Sequence, residues 1–315
     1  MSFKTTFSQL NIPAQCQKYN VALWQCPSFL FFMMGIVIII SSLTAYAMGT
    51  RYIDSPETVA LIVLIFTAIL FIMSFIITQG FERLAEASRL KSEFVSVVSH
   101  QIRSPLTNLN WTLDLLMSGN LGKVEEKQAE YFKILKENSG RMGELVDDLL
   151  IVSRLETTKL LIKKEETSLS DITQELIKQF TVFSQASNVE IIFNPSSDVP
   201  KIFTDPSQVK VAIENLLDNA IRYTKGGGRI TMTLSKKDNK IFFEIEDSGL
   251  GIPKEDQKFI FQKFFRSNNA RKHQTQGSGL GLYISKSIVE RLGGQIGLRS
   301  QEGKGSTFWF VLPIK

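Results

Sequence analysis

Two long uncharged runs near the start of this chain limit what it can fold into. Residues 19–50 contain no Asp, Glu, Lys or Arg, and neither do residues 58–81. The centre of the first run, Phe29 to Met48, is Phe, Leu, Met, Ile and Val with a few small polar residues. A helix of about 20 apolar residues crosses a hydrocarbon core, so both runs predict transmembrane helices. The first run begins too late and continues too long for a cleaved signal peptide. Between the spans lies only Gly49 to Glu57, too short to bury a core, so no external sensor domain is expected.

Positive charge orients the spans. Lys4 and Lys18 precede the first with no acid among them, Arg83, Arg89 and Lys91 follow the second, and the loop carries only Arg51. That bias predicts a multi-pass protein of the inner (cytoplasmic) membrane with both termini in the cytoplasm and the lipid bilayer as a partner. The net charge of +5 suits phosphate ligands and an anionic leaflet, and no direct nucleic-acid partner is expected. Cys16 and Cys26 precede the first span, in a reducing compartment on this topology, so a disulfide is not expected. They lack a second ligand pair or a nearby His, which argues against zinc.

Beyond the spans, apolar residues recur at steps of three or four: Leu84, Ala87, Leu90, Phe94, Val98, Ile102, Leu106, Leu109, Leu113 and Leu116. This is one stripe of a long helix. The turn Ser118-Gly119-Asn120-Leu121-Gly122 breaks it. A second stripe follows at Val124, Tyr131, Leu135, Met142, Leu145, Leu149 and Val152, with Gln128 and Asn138 at the other two heptad positions. Two helices cannot cover two such faces, whereas a homodimeric four-helix bundle can. His100 lies two residues from Val98 and from Ile102, hence about 200° around the helix from each. A lone His is more often a core residue, but this period turns it to solvent. Pro105 has no N–H for the Gln101 carbonyl, which predicts a bend beside His100.

From about residue 165 the pattern mixes helix and strand. A helix is predicted over Leu169 to Ser184, and strands over 188–194, 229–235, 240–247 and 307–312. Asp205 and Pro206 form a cap and first-turn pair for a further helix. On it Asn215 and Asn219 are four apart and share a face, with Arg222 and Tyr223 just beyond. Two mid-helix Asn among Leu, Ile and Ala are poor helix formers and need a reason. Asp247-Ser248-Gly249-Leu250-Gly251 closes a strand, and Gly277-Ser278-Gly279-Leu280-Gly281-Leu282 opens a helix running to Leu292. Glycines admit phosphate close to backbone N–H groups, and a helix N-terminus favours anions. No Gly-Lys-Ser/Thr follows, so this is not a Walker A loop, and the helical hairpin before it argues against a dinucleotide fold.

In order and spacing these motifs resemble membrane-bound sensor histidine kinases of two-component systems, over roughly residues 90–315. The run Ser99-His100-x-x-Arg103-Ser104-Pro105-Leu106 resembles their phosphoacceptor box. The resemblance makes His100 the phosphoacceptor, flanked by Gln101, Arg103 and Ser104. It implies ATP and Mg²⁺, with Asn219 as metal ligand and Asn215 as a second polar contact. It places Arg222 on phosphate, Tyr223 near adenine and Asp247 on the adenine amino group. Gly249, Gly251, Gly277, Gly279, Leu280 and Gly281 would form the nucleotide-binding turns. Phe259 to Arg266 matches a Phe-rich box, mostly core packing, and Ser267 to Gln276 a mobile lid in which His273 has no expected catalytic role. Gly303 to Phe308 resembles the family's end.

One position departs from the pattern. The family most often has Glu or Asp after the His, where this chain has Gln101. A Gln oxygen can accept from one ring N–H but cannot take a proton. Slower autophosphorylation is therefore expected. With Gln101 and Ser104 in place of the acid and the Thr or Asn three residues on, phosphatase activity towards the partner is not implied.

The expected architecture is multidomain: a cytoplasmic segment over 1–28, a transmembrane hairpin over 29–79, a linker helix and dimeric phosphoacceptor hairpin over 80–162, and an α/β-sandwich ATP domain over 163–315. The expected activity is autophosphorylation of His100 and transfer to an Asp of a response regulator. No receiver domain follows Lys315, so the regulator is expected on a separate chain. The alternative is an ATP-binding membrane scaffold or pseudokinase, for which Gln101 is the support. A chaperone- or topoisomerase-like ATPase is disfavoured, because those carry a Glu base where Asn215 stands and lack the acceptor hairpin.

Overall fold

The computed structural model describes residues 27–156, 162–224, 226–267, 269–270 and 277–314. Cys16, Cys26, most of the expected lid and His273 lie outside them.

Helix α1 spans Pro27–Tyr52 and helix α2 spans Pro56–Met117. Each contains a stretch long and apolar enough to cross a membrane. Their apolar side chains, Ile39, Leu43, Leu64 and Ile76 among them, are exposed. Their hydroxyls are answered internally. Thr67 donates to the Val63 carbonyl at 2.7 Å and bonds the Ser42 hydroxyl at 2.8 Å, while Thr44 and Thr78 donate to carbonyls four residues back. Gly49 permits the close turn between the helices, since a Cβ there would lie 2.7 Å from the Val59 side chain.

Helix α2 runs on through Pro105 as one element of 62 residues. The proline removes one rung of the hydrogen-bond ladder without ending the helix. Helix α3 (Glu126–Glu156) returns antiparallel to it, tied by the ion pairs Arg103–Asp147 and Lys136–Asp114. The hairpin buries Ser99, Leu106 and Leu113 on α2 and Ser139, Val146, Leu150 and Ser153 on α3. In a single chain Tyr131, Leu135, Met142 and Leu145 of the stripe read on α3 stay exposed, together with Ile102 and Leu109 on α2. The stripe changes role along α3, since Leu149 is half-buried and Val152 is buried in the core shared with the ATP domain.

The C-terminal part comprises β1 (Glu165–Thr167), α4 (Leu169–Ala186), β2 (Glu190–Pro195), β3 (Ile202–Thr204), α5 (Pro206–Tyr223), β4 (Arg229–Lys237), β5 (Lys240–Asp247), α6 (Gly281–Arg291), β6 (Gln295–Gln301) and β7 (Gly305–Pro313). Five strands form a mixed sheet in the order β2-β4-β5-β7-β6, with β2 parallel to β4 and every other pair antiparallel. Strands β1 and β3 form a separate antiparallel pair. Alternation sends Ile230, Met232, Leu234, Ile241, Phe243, Ile245, Phe308, Phe310 and Leu312 into one core. Leu176 of α4, Ile213, Leu216 and Leu217 of α5, and Ile284 and Ile288 of α6 fill its other side. Phe243 and Phe310 stack across the β5–β7 register with centroids 4.8 Å apart. Truncating either to Ala costs about 3–5 kcal/mol. Helix α5 begins as its sequence dictates: Asp205 accepts from the N–H groups of Ser207 and Gln208 at 3.1 and 3.2 Å, with Pro206 in the first turn.

Candidate nucleotide site and phosphoacceptor helix

A cavity of about 950 Å³ opens between α5, the two glycine turns, α4 and helix α3 of the hairpin. Helical spacing turns Asn215, Asn219, Arg222 and Tyr223 towards it, while Ile213, Leu216, Leu217 and Ala220 on the opposite face are buried in the core. Neither Asn side chain forms a hydrogen bond among the described residues. Two amides left facing a polar cavity are a reason for Asn at poor helix positions. Arg222 is engaged: its Nε donates to both Asp218 oxygens at 2.8 and 2.6 Å, and its guanidinium lies 5.9 Å from the centre of the Phe183 ring. Burial works against the Arg222 charge, but the bond and attraction from Asp218 outweigh it and raise its pKa.

Asp247 ends β5 at the wall of the cavity and is 5% exposed. Its Oδ1 accepts from the Gly249 N–H at 2.9 Å and the Ser306 N–H at 3.3 Å. Burial pushes its carboxyl up to about 6; the two N–H bonds pull it down, and nearby Glu246 adds to the rise. No hydrogen bond among the described residues reaches Oδ2. The turn after Asp247 is backbone packed on backbone. A Cβ on Gly249 would lie 2.3 Å from the Tyr223 carbonyl oxygen, and one on Gly251, at φ +63°, would lie 2.0 Å from that of Gln301. Glycine alone fits both places.

The second glycine turn differs from its sequence reading. Helix α6 starts at Gly281 rather than at Gly277, because Gly279 sits at φ +70° and ends regular helix there. Ser278 Oγ accepts from the Leu280 N–H at 3.1 Å and donates to Asp148 Oδ2 on α3 at 2.6 Å. Gly251, Gly277, Gly279 and Gly281 line the cavity. Gly249 and Leu280 do not: Gly249 is packed behind Asp247, and the Leu280 side chain is 1% exposed in the core.

On α2, His100, Gln101, Arg103 and Ser104 are all exposed, and none of them lines the cavity. The outward turn of His100 read from the apolar period is what the structure has. Arg103 connects the two regions, since its partner Asp147 does line the cavity.

Sequence reasoning missed the residues that α3 and α4 bring: Arg141, Glu144, Asp147, Asp148, Phe180 and Phe183. They join the cavity through tertiary packing, which no local period encodes. Burial raises the Asp148 pKa, the Ser278 bond lowers it, and Asp147 and Asp218 raise it further. No cluster of three or more His, Cys, Asp or Glu suited to a metal ion exists among the described residues.

Residues 90–158 match the family described as the His Kinase A phospho-acceptor domain. Residues 204–315 match the histidine kinase-, DNA gyrase B- and HSP90-like ATPases. The sensor histidine kinase GacS of Pseudomonas protegens is 31% identical over 73% of this chain and 25% of its own length. The signal transduction histidine-protein kinase BarA of Escherichia coli is 32% identical over 74% of this chain and 26% of its own. The adaptive-response sensory kinase SasA of a Synechococcus strain is 31% identical over 76% of this chain and 64% of its own. The chain thus spans about a quarter of the length of the first two relatives. The crystal structure of full-length ShkA in complex with AMPPNP is 26% identical, with a TM-score of 0.60, over 70% of this chain and 45% of that one. That of histidine kinase ThkA in complex with response regulator protein TrrA shares the fold, with a TM-score of 0.52 at 24% identity over 75% of this chain and 66% of that one. With the phospho-acceptor match on the helix of His100 and the ATPase match on the domain of Asn215, Asn219 and Asp247, this chain belongs to the sensor histidine kinases.

Proposed function

We propose that this protein phosphorylates His100 with ATP and passes the phosphoryl group to an aspartate of a response regulator. The observation that carries this reading is one of combination. An exposed imidazole on a helical hairpin shares a chain with a cavity where two unpartnered amides, a free carboxylate oxygen and two glycine turns converge. In the first step a neutral nitrogen of His100 attacks the γ-phosphorus as the bond to the bridging oxygen breaks and ADP leaves. The ring then loses the proton on its other nitrogen. In the second step a regulator carboxylate takes the phosphoryl group as the N–P bond breaks. Gln101 can hold one ring N–H and so keep the other nitrogen's lone pair free. Because His100 does not line the cavity, the ATP domain must move along the hairpin before transfer.

The cavity residues fit a magnesium nucleotide. The Asn219 amide oxygen suits an ion that keeps much of its water, with Asn215 beside it. Bound magnesium would neutralise triphosphate charge. Asp247 Oδ2 accepts from the adenine amino group, Tyr223 flanks the ring, and the turn from Gly277 to Gly281 offers N–H groups to phosphate. Arg222 holds Asp218 through Nε alone, which leaves its terminal N–H groups to meet phosphate. The AMPPNP of ShkA and the regulator bound by ThkA support the same ligand and partner here.

The division at residues 29–79, 80–162 and 163–315 gives each part a role. Helix α1 and the first part of α2 span the membrane with both termini in the cytoplasm, and the exposed stripe on the hairpin closes a homodimeric four-helix bundle. The test is calorimetric titration of AMPPNP with Mg²⁺ beside labelling from γ-labelled ATP. His100→Ala should bind nucleotide and take no label, while Asp247→Ala should lose nucleotide binding. Binding unchanged in a folded Asp247→Ala protein overturns the site. Labelled His100→Ala overturns the acceptor.

A further inference from the structure

Ser278 bonds a partner 130 residues away in sequence and another in its own turn. Its hydroxyl gives its one proton to Asp148 Oδ2 at 2.6 Å and accepts from the Leu280 N–H at 3.1 Å. Leu280 immediately precedes α6, so this N–H belongs to the N-terminal end of an 11-residue helix, where Gly279 and Gly281 line the cavity. Such an end attracts anions. In this structure the anion it meets, through the serine, is a carboxylate of the acceptor hairpin.

We propose that Asp148 acts as an internal competitor for the nucleotide phosphates, latching the Gly277–Gly281 turn to α3 until ATP displaces it. A hydroxyl has one proton to donate. Ser278 therefore cannot hold Asp148 and a phosphate oxygen by that proton at once, and the Leu280 N–H cannot be given to phosphate while Ser278 holds it. Asp148 is also badly placed to stay beside a triphosphate. It already faces Asp147 and Asp218, and burial with these neighbours disfavours its charge. Entry of the phosphates adds like charge to that cluster and frees Ser278, so the loop leaves the hairpin. The Gly277–Gly281 turn is then released from α3 in the same event that loads the site, which removes one of the contacts that travel towards His100 must break, alongside the packing of Val152 and Leu155 of α3 in the ATP-domain core. Loading and unlatching become one step. The latched population lowers the apparent affinity by the fraction of unlatched protein.

This inference rests on the reading of the cavity as the nucleotide site, and the experiment separates the two. AMPPNP with Mg²⁺ is titrated into the full chain in detergent, as wild type, Asp148→Ala, Ser278→Ala and the double variant. Ala keeps no acceptor for the Ser278 proton, so the latch predicts that Asp148→Ala tightens binding about tenfold, the scale of one charge-assisted hydrogen bond, and that the gain vanishes when Ser278 is already Ala. Hydrogen exchange at residues 277–281 without nucleotide should rise in Asp148→Ala. An equal gain in both serine backgrounds would mean that Asp148 acts only through its charge, and the latch is wrong. No gain in a folded Asp148→Ala protein also overturns it. A wild type that binds no AMPPNP instead removes the nucleotide reading itself.

Discussion

The Gly249 N–H donates to Asp247 Oδ1 at 2.9 Å, so a carboxylate that is 5% exposed is held by the turn that follows it. That bond occupies one oxygen and leaves Oδ2 available to an adenine amino group. It also predicts a pH dependence. Burial has raised this carboxyl to about 6, so it loses its charge as pH falls through that value. An ionised Asp247 accepts a hydrogen bond at either oxygen, whereas a protonated one has turned an acceptor into a donor. Nucleotide affinity should therefore fall between pH 7 and 5 more steeply than in Asp247→Asn. The phosphates of the nucleotide titrate alike in both proteins, so the difference between the two curves isolates Asp247. Parallel curves would contradict its role. The same shift acts on stability in the opposite sense. With the folded pKa above the ordinary value, Asp247 contributes stability at low pH that is lost as pH rises through about 6.

Gly251 and Gly303 make a paired test of the turn. Both have positive φ, +63° and +78°, but a Cβ on Gly251 meets the Gln301 carbonyl oxygen at 2.0 Å while one on Gly303 meets open space. Gly303→Ala should cost about 1–2 kcal/mol from the backbone conformation alone. Gly251→Ala should cost that and the clash besides, with nucleotide binding lost. Denaturant unfolding compares the two, and equal losses would contradict the packing described.

The exposed stripe on α3 predicts an oligomer. Leu135→Asp or Met142→Asp places a charge on a face that a single chain leaves uncovered. Either change should turn a dimer into a monomer by light scattering of the detergent-solubilised protein while leaving AMPPNP affinity intact. Buried Leu113, at 3% exposure, behaves differently: Leu113→Ala removes hairpin core and should cost about 2–5 kcal/mol. A dimer unaffected by both charged variants would place the subunit contact elsewhere.

Gln101→Glu should speed autophosphorylation. A carboxylate beside His100 could take the proton that an amide cannot, within a ceiling of about 10²–10⁴-fold for general-base help. ATP affinity should not change, because residue 101 is exposed on the acceptor helix and does not line the cavity. Initial rates at saturating ATP decide. An unchanged or slower rate would mean that proton removal does not limit this enzyme.

The parts of this structure that were legible in the sequence are those set by local rules. The uncharged runs gave two helices, the cap at Asp205 gave the start of α5, and the i, i+4 spacing placed Asn215 and Asn219 on one face. The period around His100 gave its exposure. What escaped reading depends on distant chain. Strands β1 and β3 have three residues each, too few to show a period, and β6 is interrupted by Gly297, over which Trp309 packs. The packed seam of α3 includes Ser139 and Ser153, small polar residues that a search for greasy stripes passes over. The start of α6 moved because Gly279 takes a left-handed φ that residue type permits but does not require. Arg141, Glu144 and Asp148 carried no signal as cavity residues, since only the packing of α3 on the ATP domain gives them that place.

The central claim is that phosphate passes from ATP to His100, and the chemistry of the bond tests it most directly. The full chain is incubated with Mg²⁺ and γ-labelled ATP, split between acid and alkali, and digested to locate the label. The account predicts a label that survives alkali, disappears in acid and maps to the peptide carrying His100, with none from α-labelled ATP. A label that survives acid, maps elsewhere or persists in His100→Ala would contradict it, as would a protein that binds AMPPNP and never becomes labelled.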